Sequence, residues 1–401
     1  MNAGGDDRLH LRMYGADDIM NSHSDLHHAD NHLAERYHGL DLLRSLAMLM
    51  GIVFHAPQFY YIPEMADGFR DFGISTEMIP EMDYWLQILV QWSHSWRMTV
   101  FFIISGFFAL MVFQRKGIAH LVRDRVTRLG LTLLLFATLY DMLDGRFDGQ
   151  LMHIWFIYYL LIFTLIASLF WKMTSSPAAA GQAAPRGRKL TALLIGFVPV
   201  KMVCDLLDGG TLGIAVSYGD IRPGGFLYFA FCFLTGAALF TRRQMLDRLA
   251  SKPVMLAIGA VALISFAGAF TYVDGVFGHR RTPSASMADA VIGSAFAATS
   301  ALSWSLFLLG ITHAVVKRGN ALVRWLVELS YPVYLVHLLP AMIVSAALIG
   351  MGYGQPAVVA GTVCATFIIS VIVYYLLIKF TPLSWIINGY HKSWLMLPRS
   401  R

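Results

Sequence analysis

The sequence predicts an all-α protein that crosses a membrane with about ten helices and keeps both termini in the cytoplasm. Apolar residues make up 57% of the 401 residues and charged residues only 14%, whereas soluble domains average roughly 45–50% and about 25%. The mean hydropathy is +0.57. From Leu40 onward, apolar stretches long enough to cross a bilayer follow one another closely. A soluble enzyme, a nucleic-acid-binding protein and a secreted disulfide scaffold are therefore excluded as leading interpretations.

Three regions follow from the distribution of these stretches. Residues 1–36 are polar and rich in His and Asp, which predicts a disordered cytoplasmic tail without a signal peptide. Residues 37–380 hold the membrane domain, and residues 381–401 form a short cytoplasmic tail. The stretch Met173–Lys189, with Pro177 and Pro185, is typical of a loose loop. The predicted spans are about 40–61, 85–113, 129–143, 151–171, 190–208, 224–241, 254–273, 289–316, 321–348 and 356–378.

The orientation follows from the basic residues of the loops. If the amino terminus is inside, the internal loops carry 16 Lys and Arg residues and the external loops carry 6. Basic residues accumulate on the cytoplasmic side of membrane proteins, so this distribution favours both termini inside. The same rule explains the net charge of +6. This charge therefore indicates a lipid bilayer as the partner of the chain, and not a nucleic acid.

The sequence contains no convincing pattern of metal ligands. The cysteines Cys204, Cys232 and Cys364 lie far apart in apolar segments and lack ligand spacing, so they are interpreted as core residues. The His-rich run in the amino-terminal tail has no surrounding fold to hold an ion, so no metal site is predicted.

The first span carries the most informative pattern. Asp41, Arg44, Met48, Gly51 and His55 are spaced by 3, 4, 3 and 4 residues, so they form one stripe along a helix. Ionisable groups at membrane depth usually face a polar cavity or a partner. An interfacial ion pair between the two charged residues and a structural role for the histidine are the alternatives. Arg44 and His55 are about 16 Å apart by helix rise, so they cannot act as one catalytic pair.

Further polar residues lie near the ends of other spans. Arg125 and Arg128 share a helix face that suits phosphate, with positive-inside anchoring as the alternative. The segment from Trp92 to Arg97, which includes His94 and Trp96, lies at the external mouth of the second span. It is typical of an aromatic belt with polar anchors, or of a carbohydrate site. The remaining candidates are His153 and Trp155 at the same external level, His337 inside the ninth span, and Ser105, beside Gly106 in a stretch that also suits close helix packing.

Five blocks together resemble membrane acyltransferase family 3, closest to its glucan-modifying branch. The match covers roughly residues 37–380, and the Pro that often follows the arginine pair is replaced by Leu129-Gly130. The five blocks are Leu40-Asp41-x-x-Arg44 with Gly51-Ile52-x-x-His55, Phe101-Phe102-x-x-Ser105-Gly106-Phe107, Arg125-x-x-Arg128, His153-x-Trp155-Phe156, and Ser330-Tyr331-x-x-Tyr334-Leu335-x-His337.

The resemblance implies a multi-pass acyltransferase of the bacterial inner membrane. It would move a succinyl or acetyl group from cytoplasmic acyl-CoA to a hydroxyl of periplasmic glucan or of an exopolysaccharide such as cellulose. Acyl-CoA would be a co-substrate, no cofactor would be permanently bound, and polysaccharide-synthesis machinery is a candidate partner. A transporter or exporter and a non-catalytic component of such machinery are the rival interpretations.

The candidate site residues follow from the same reasoning. His55 is the predicted catalytic base, with a covalent acyl-histidine relay as the alternative. Asp41, Arg44, Ser105 and His337 are candidate supporting residues. Arg125, Arg128 and Arg44 are expected to bind acyl-CoA, and the residues expected to bind the acceptor are His94, Trp96, His153 and Trp155.

Overall fold

The computed structural model describes residues 37–174, 186–209, 212–272 and 286–389. The predicted tail 1–36, most of the loop before Lys189 and the end of the carboxyl-terminal tail lie outside these ranges. The chain from His38 onward forms one unit. Within the described ranges it is helical, which confirms the predicted all-α class. The long helices are α1 (His38–His55), α2 (Tyr84–Arg125), α3 (Thr132–Asp144), α4 (Trp155–Thr174), α5 (Arg186–Leu207), α6 (Pro223–Thr241), α7 (Lys252–Tyr272), α8 (Met287–Val315), α9 (Ala321–Val336), α10 (Leu338–Gly350) and α11 (Gln355–Val373).

The described helices make this a multi-pass membrane protein, although the expected count of ten spans is not confirmed. Seven helical segments are long and apolar enough to cross a membrane, or eight if α9 and α10 form one bent span. Large apolar side chains such as Ile195 and Leu256 are 74% and 75% exposed on them, as expected of a surface that faces lipid. The count is lower than ten for two reasons. Helix α1 is not among these segments, and the second and third predicted spans belong to one helical segment of 60 residues, Tyr84–Leu143.

The second and third predicted spans are joined by helix and not by the expected loop at 114–128. Gly117 interrupts α2 with a φ of +77°, a conformation that glycine adopts at little cost. Helix resumes to Arg125 and continues as wider π-helical turns over Val126–Leu131 before α3. The Leu-Gly pair that replaces the family's Pro lies inside these turns, where the chain remains helical.

The ninth predicted span is broken at His337. Helices α9 and α10 meet there at 67°. Pro340 has no N–H to bond to the carbonyl of Val336, and its ring crowds that carbonyl, which accounts for the bend. The break places His337 between two helices, where it is fully buried.

Close packing at glycines brings the site-bearing helices together. A Cβ on Gly106 of α2 would overlap the carbonyl of Phe233, and one on Gly236 of α6 would overlap the carbonyl of Ile103. Only glycine permits this reciprocal approach of α2 and α6, which supports a packing role for Gly106. Helix α1 packs against α2, α8 and α9, so its polar stripe meets the segments that carry the other candidate residues.

Candidate active site

A cavity of about 800 Å³ lies at the carboxyl end of α1. We call it the histidine cavity. Its wall is formed by residues from α1, α2, α5, α6, α8 and the α9–α10 pair, and by the segments that precede α4 and α6. The polar wall residues that matter below are His55, His94, Arg97, His153, Lys201, Asp205, Asp208, Arg222, Ser294 and Tyr334.

Three imidazole rings from distant parts of the chain lie together at this cavity. The ring centroid of His337 is 5.3 Å from that of His55 and 5.0 Å from that of His153. The centroids of His55 and His153 are 6.3 Å apart. His153 follows Met152, whose φ of +44° is uncommon for a residue with a side chain. The fold thus brings together three of the histidines that the sequence singles out.

Hydrogen bonds determine which nitrogens of two of these rings carry protons. Nδ1 of His337 and Nε2 of His153 lie 2.6 Å and 3.0 Å from one acceptor, the carbonyl oxygen of Tyr334. A carbonyl oxygen only accepts, so each of these nitrogens donates an N–H. In the neutral rings, Nε2 of His337 and Nδ1 of His153 then carry lone pairs. Both are buried and have no hydrogen-bond partner among the described residues.

His55 lines the cavity, as His153 does, but it differs from the other two because its ring has no carbonyl partner like that of Tyr334 among the described residues. Its side chain is half-buried, and its ring packs edge-on against that of Phe54 at a centroid distance of 5.1 Å. Its other ring neighbours are His337 and His153. A neutral imidazole always has one nitrogen with a lone pair, so His55 can accept a proton from a molecule in the cavity.

Arg97 is buried in the wall of the histidine cavity. It is 5% exposed, and its Cζ atom is 4.7 Å from the centroid of the Phe54 ring. Among the described residues, its Nε and Nη1 atoms have no hydrogen-bond partner, and no carboxylate pairs with it. A Cβ on Gly51 would lie 3.2 Å from Nη1 and 2.9 Å from the Tyr334 ring, so glycine provides the space for both.

The cavity wall also contains charges that the sequence pattern did not single out. Lys201 Nζ lies 2.9 Å from the carboxylate of Asp205, which also accepts a hydrogen bond of 2.8 Å from Ser294. Asp208 accepts hydrogen bonds from the backbone N–H groups of Gly213, Gly224 and Gly225 at 2.7–2.9 Å. Lys201 and Asp205 stand four residues apart in a predicted span, and that spacing was the available signal.

The residues expected to bind the acceptor are only partly brought together. His94, His153 and Trp155 line the histidine cavity, where the ring of His94 stacks on that of Phe54 at 5.3 Å. Trp96 is buried beside Trp92 and is absent from the cavity wall. The supporting candidate Ser105 is also buried, about 12 Å along α2 from Arg97.

The three arginines expected to bind acyl-CoA are close enough to repel one another. We call Arg44, Arg125 and Arg128 the arginine cluster. Arg44 pairs with Asp41 at 3.2 Å, and Asp124 lies 3.6 Å from Arg125 and 3.7 Å from Arg128. Three guanidinium groups therefore share two carboxylates. The role of Asp124 could be read from its position next to one arginine and four residues before the other.

No candidate metal site is found in the described part of the chain. No group of three or more His, Cys, Asp or Glu side chains there is arranged to hold a metal ion. The three cysteines are free thiols, of which Cys204 and Cys232 are buried and Cys364 is exposed.

Comparison with known proteins identifies the family. The family model of the acyltransferase domain, family 3, matches residues 37–375. The chain belongs to acyltransferase family 3. The resemblance seen in its motifs is thereby confirmed. No solved structure matches it significantly.

Curated relatives support the glucan-modifying branch of the family. Glucans biosynthesis protein C of Escherichia coli K12 is 34% identical over 101 residues, and that of Salmonella typhi is 33% identical over 101 residues. Each match covers 25% of this chain and 24% of the relative. The chain thus spans about a quarter of the length of the curated relatives it matches.

Proposed function

We propose that this acyltransferase moves a succinyl or acetyl group from cytoplasmic acyl-CoA to a hydroxyl of an extracytoplasmic glucan or exopolysaccharide. Periplasmic glucan and cellulose are the expected acceptors, and the bacterial inner membrane is the expected location. The observation that carries the proposal is the position of His55. Its ring lines the histidine cavity at the opposite end of α1 from the arginine cluster.

The reaction needs a base because a sugar hydroxyl is a poor nucleophile until its proton is removed. In the proposed step, a ring nitrogen of His55 takes this proton while the hydroxyl oxygen attacks the carbonyl carbon of the thioester. The carbon–sulfur bond then breaks, and the imidazolium returns the proton to the departing CoA thiolate. The product is an ester on the glycan, and His55 is neutral again.

His337 is proposed to support this step. Its ring is the neighbour of His55, and its Nε2 lone pair has no partner among the described residues. A lone pair beside His55 stabilises the imidazolium that forms during the reaction. The hydrogen bond from Nδ1 to the carbonyl of Tyr334 fixes the proton of the neutral ring on Nδ1, so Nε2 carries the lone pair.

The arginine cluster is the proposed site for the phosphates of acyl-CoA. Guanidinium groups form strong, charge-assisted hydrogen bonds to phosphate oxygens. Along α1, Arg44 and His55 are about 16 Å apart. The flexible pantetheine arm of the donor would bridge this distance along the polar stripe, so that the phosphates lie at one end and the thioester at the other.

The acceptor is proposed to enter from the other face of the histidine cavity. His94, His153 and Trp155 lie on its wall and offer hydrogen bonds and an aromatic surface to a sugar. The name of the curated relatives, glucans biosynthesis protein C, supports a glucan as the acceptor.

Purified protein with labelled acyl-CoA tests the proposal. It predicts that free CoA and an acylated glycan form together, and only when a glucan is present. A burst of CoA release without acceptor would favour the acyl-histidine relay. The absence of transfer to any glucan or cellulose oligosaccharide would contradict the proposed acceptor class.

A further inference from the structure

Arg97 is the charge of the histidine cavity that lacks a counter-charge among the described residues. Asp205 is already bonded to Lys201 and Ser294, and Asp208 to three backbone N–H groups. Arg222, the other arginine of the wall, pairs with Asp220 at 3.3 Å. The acidic residues of this cavity are therefore satisfied, and none of them neutralises Arg97.

An unpaired, buried guanidinium is costly in a protein. A guanidinium carries a positive charge at ordinary pH, and the Nε and Nη1 atoms of Arg97 have lost hydration without gaining an acceptor among the described residues. The ring of Phe54 offsets part of this cost through a cation–π contact. A bound anion with oxygen acceptors would offset the remainder, so the arrangement fits a ligand that brings its own negative charge.

The position of Arg97 indicates which ligand group carries that charge. Its Nη1 atom lies beside Gly51, which is one helical turn from His55 on the side of Arg44. The guanidinium also lies on the ring of Phe54, the residue before His55. Arg97 therefore lies next to the proposed position of the thioester, on the side from which the donor enters. The acyl group of the donor is nearer to Arg97 than an acceptor that enters from the opposite face.

We propose that Arg97 binds a free carboxylate on the acyl group and so makes the enzyme prefer a dicarboxylic acyl donor, such as succinyl-CoA, over an uncharged one. This inference rests on the proposed acyl transfer from acyl-CoA. The bond is a charge-assisted hydrogen bond between the guanidinium and the carboxylate that remains when the other carboxyl group forms the thioester. Arg97 is thus a specificity-determining residue for the acyl group.

The test compares donors that differ only at that end. We would measure kcat/KM with succinyl-CoA, with its amide analogue succinamyl-CoA and with acetyl-CoA, on the parent protein and on Arg97→Gln and Arg97→Lys. The parent should prefer succinyl-CoA over the amide by about 30-fold or more, because the amide removes the charge but keeps the shape. Arg97→Gln should bring this ratio close to one, and Arg97→Lys should keep part of it.

Arg222→Gln is the matched control, because it removes a cavity arginine that already has a partner. It should keep the parent's donor ratio. An equal loss with all three donors in Arg97→Gln would assign the residue to the reacting carbonyl or to the fold, and would overturn the inference. A dependence of the parental preference on charged substituents of the glucan would assign Arg97 to the acceptor instead, with the same consequence.

The parent protein alone also decides the question if the variants fail to fold. Equal use of succinyl-CoA and its amide analogue would overturn the role of Arg97 while leaving acyl transfer intact. A parent that transfers no acyl group from any CoA donor would overturn the proposed function, and this inference with it.

Discussion

The histidine cavity and the arginine cluster lie at opposite ends of α1 and differ in how far their polar groups are already satisfied. In the arginine cluster, Asp41 and Asp124 lie within ion-pair distance of the three guanidinium groups. In the histidine cavity, Nε2 of His337 and the Nε and Nη1 atoms of Arg97 are buried and have no partner among the described residues.

This difference separates two tasks. A group that already has a partner must exchange it for a ligand, so the arginine cluster suits reversible binding of moderate strength. Unsatisfied groups held in the cavity wall gain partners only when substrate is present, so they can stabilise the transition state, as proposed for His337, or select the acyl group, as proposed for Arg97. We therefore expect changes in the cavity to lower the rate of transfer, and changes in the arginine cluster to alter the affinity for the donor.

The largest expected effect is at His55. His55→Ala and His55→Gln should each lower the rate of acyl transfer by about 10²–10⁴-fold, because neither replacement has a basic nitrogen. Acyl-CoA affinity and the amount of folded protein should stay near the parent's values. Activity assays, donor binding and gel filtration check this, with His313→Gln as the control because that histidine pairs with Asp247 away from the cavity. Substantial activity in the Gln variant would assign a structural role to His55.

The next effect is on donor binding. Arg128→Ala should weaken acyl-CoA binding by about 1.5–3 kcal/mol, the usual loss for hydrogen bonds to a charged group. Arg128→Lys should recover only part of it, because an ammonium group cannot reproduce the guanidinium fork. Isothermal calorimetry measures the change, and Arg318→Ala, an exposed arginine in another loop, is the control. Unchanged affinity in both Arg128 variants would leave the arginine only an anchoring role.

A smaller effect is expected at Gly51, which lies against Arg97 and Tyr334 of the cavity wall. The added methyl of Gly51→Ala would displace the ring of Tyr334 or the guanidinium of Arg97, a strain of about 1–3 kcal/mol. We expect kcat/KM to fall about tenfold. Gly68→Ala, where a methyl meets no atom within 4 Å, is the control. Equal activity in the two variants would show that the wall yields easily.

The smallest effect is expected at Asp124, in the arginine cluster at the other end of α1. Asp124→Asn removes the carboxylate that competes with phosphate for Arg125 and Arg128. Partly exposed ion pairs contribute at most about 1 kcal/mol, so acyl-CoA should bind up to about fivefold more tightly. A weaker affinity in this variant would mean that Asp124 positions the arginines for the donor.

Local periodicity accounts for what the sequence could predict. The stripe from Asp41 to His55 and the shared face of Arg125 and Arg128 follow from helix geometry alone. The apolar runs also locate most of the helices. Two details were readable but easily overlooked, namely Asp124 beside the arginines and Pro340 just beyond the break at His337.

Other features depend on contacts between distant segments. That His153 and His337 donate to one carbonyl follows from the bend between α9 and α10 and from the turn before α4, which no single stretch encodes. The burial of Arg97 follows from the close approach of α2 to Gly51 of α1. A pattern of tryptophans around an arginine is typical of a membrane interface or of a carbohydrate site, and neither alternative predicts how deeply Arg97 is buried.

The central claim is that the donor reaches the arginine cluster from the cytoplasm and the acceptor reaches His55 from outside. The most direct test uses right-side-out membrane vesicles that contain the protein, with labelled acyl-CoA sealed inside and glucan added outside. The account predicts labelled glucan outside the vesicles, and none when acyl-CoA is supplied only from outside. Transfer between a donor and an acceptor that are both outside would contradict it.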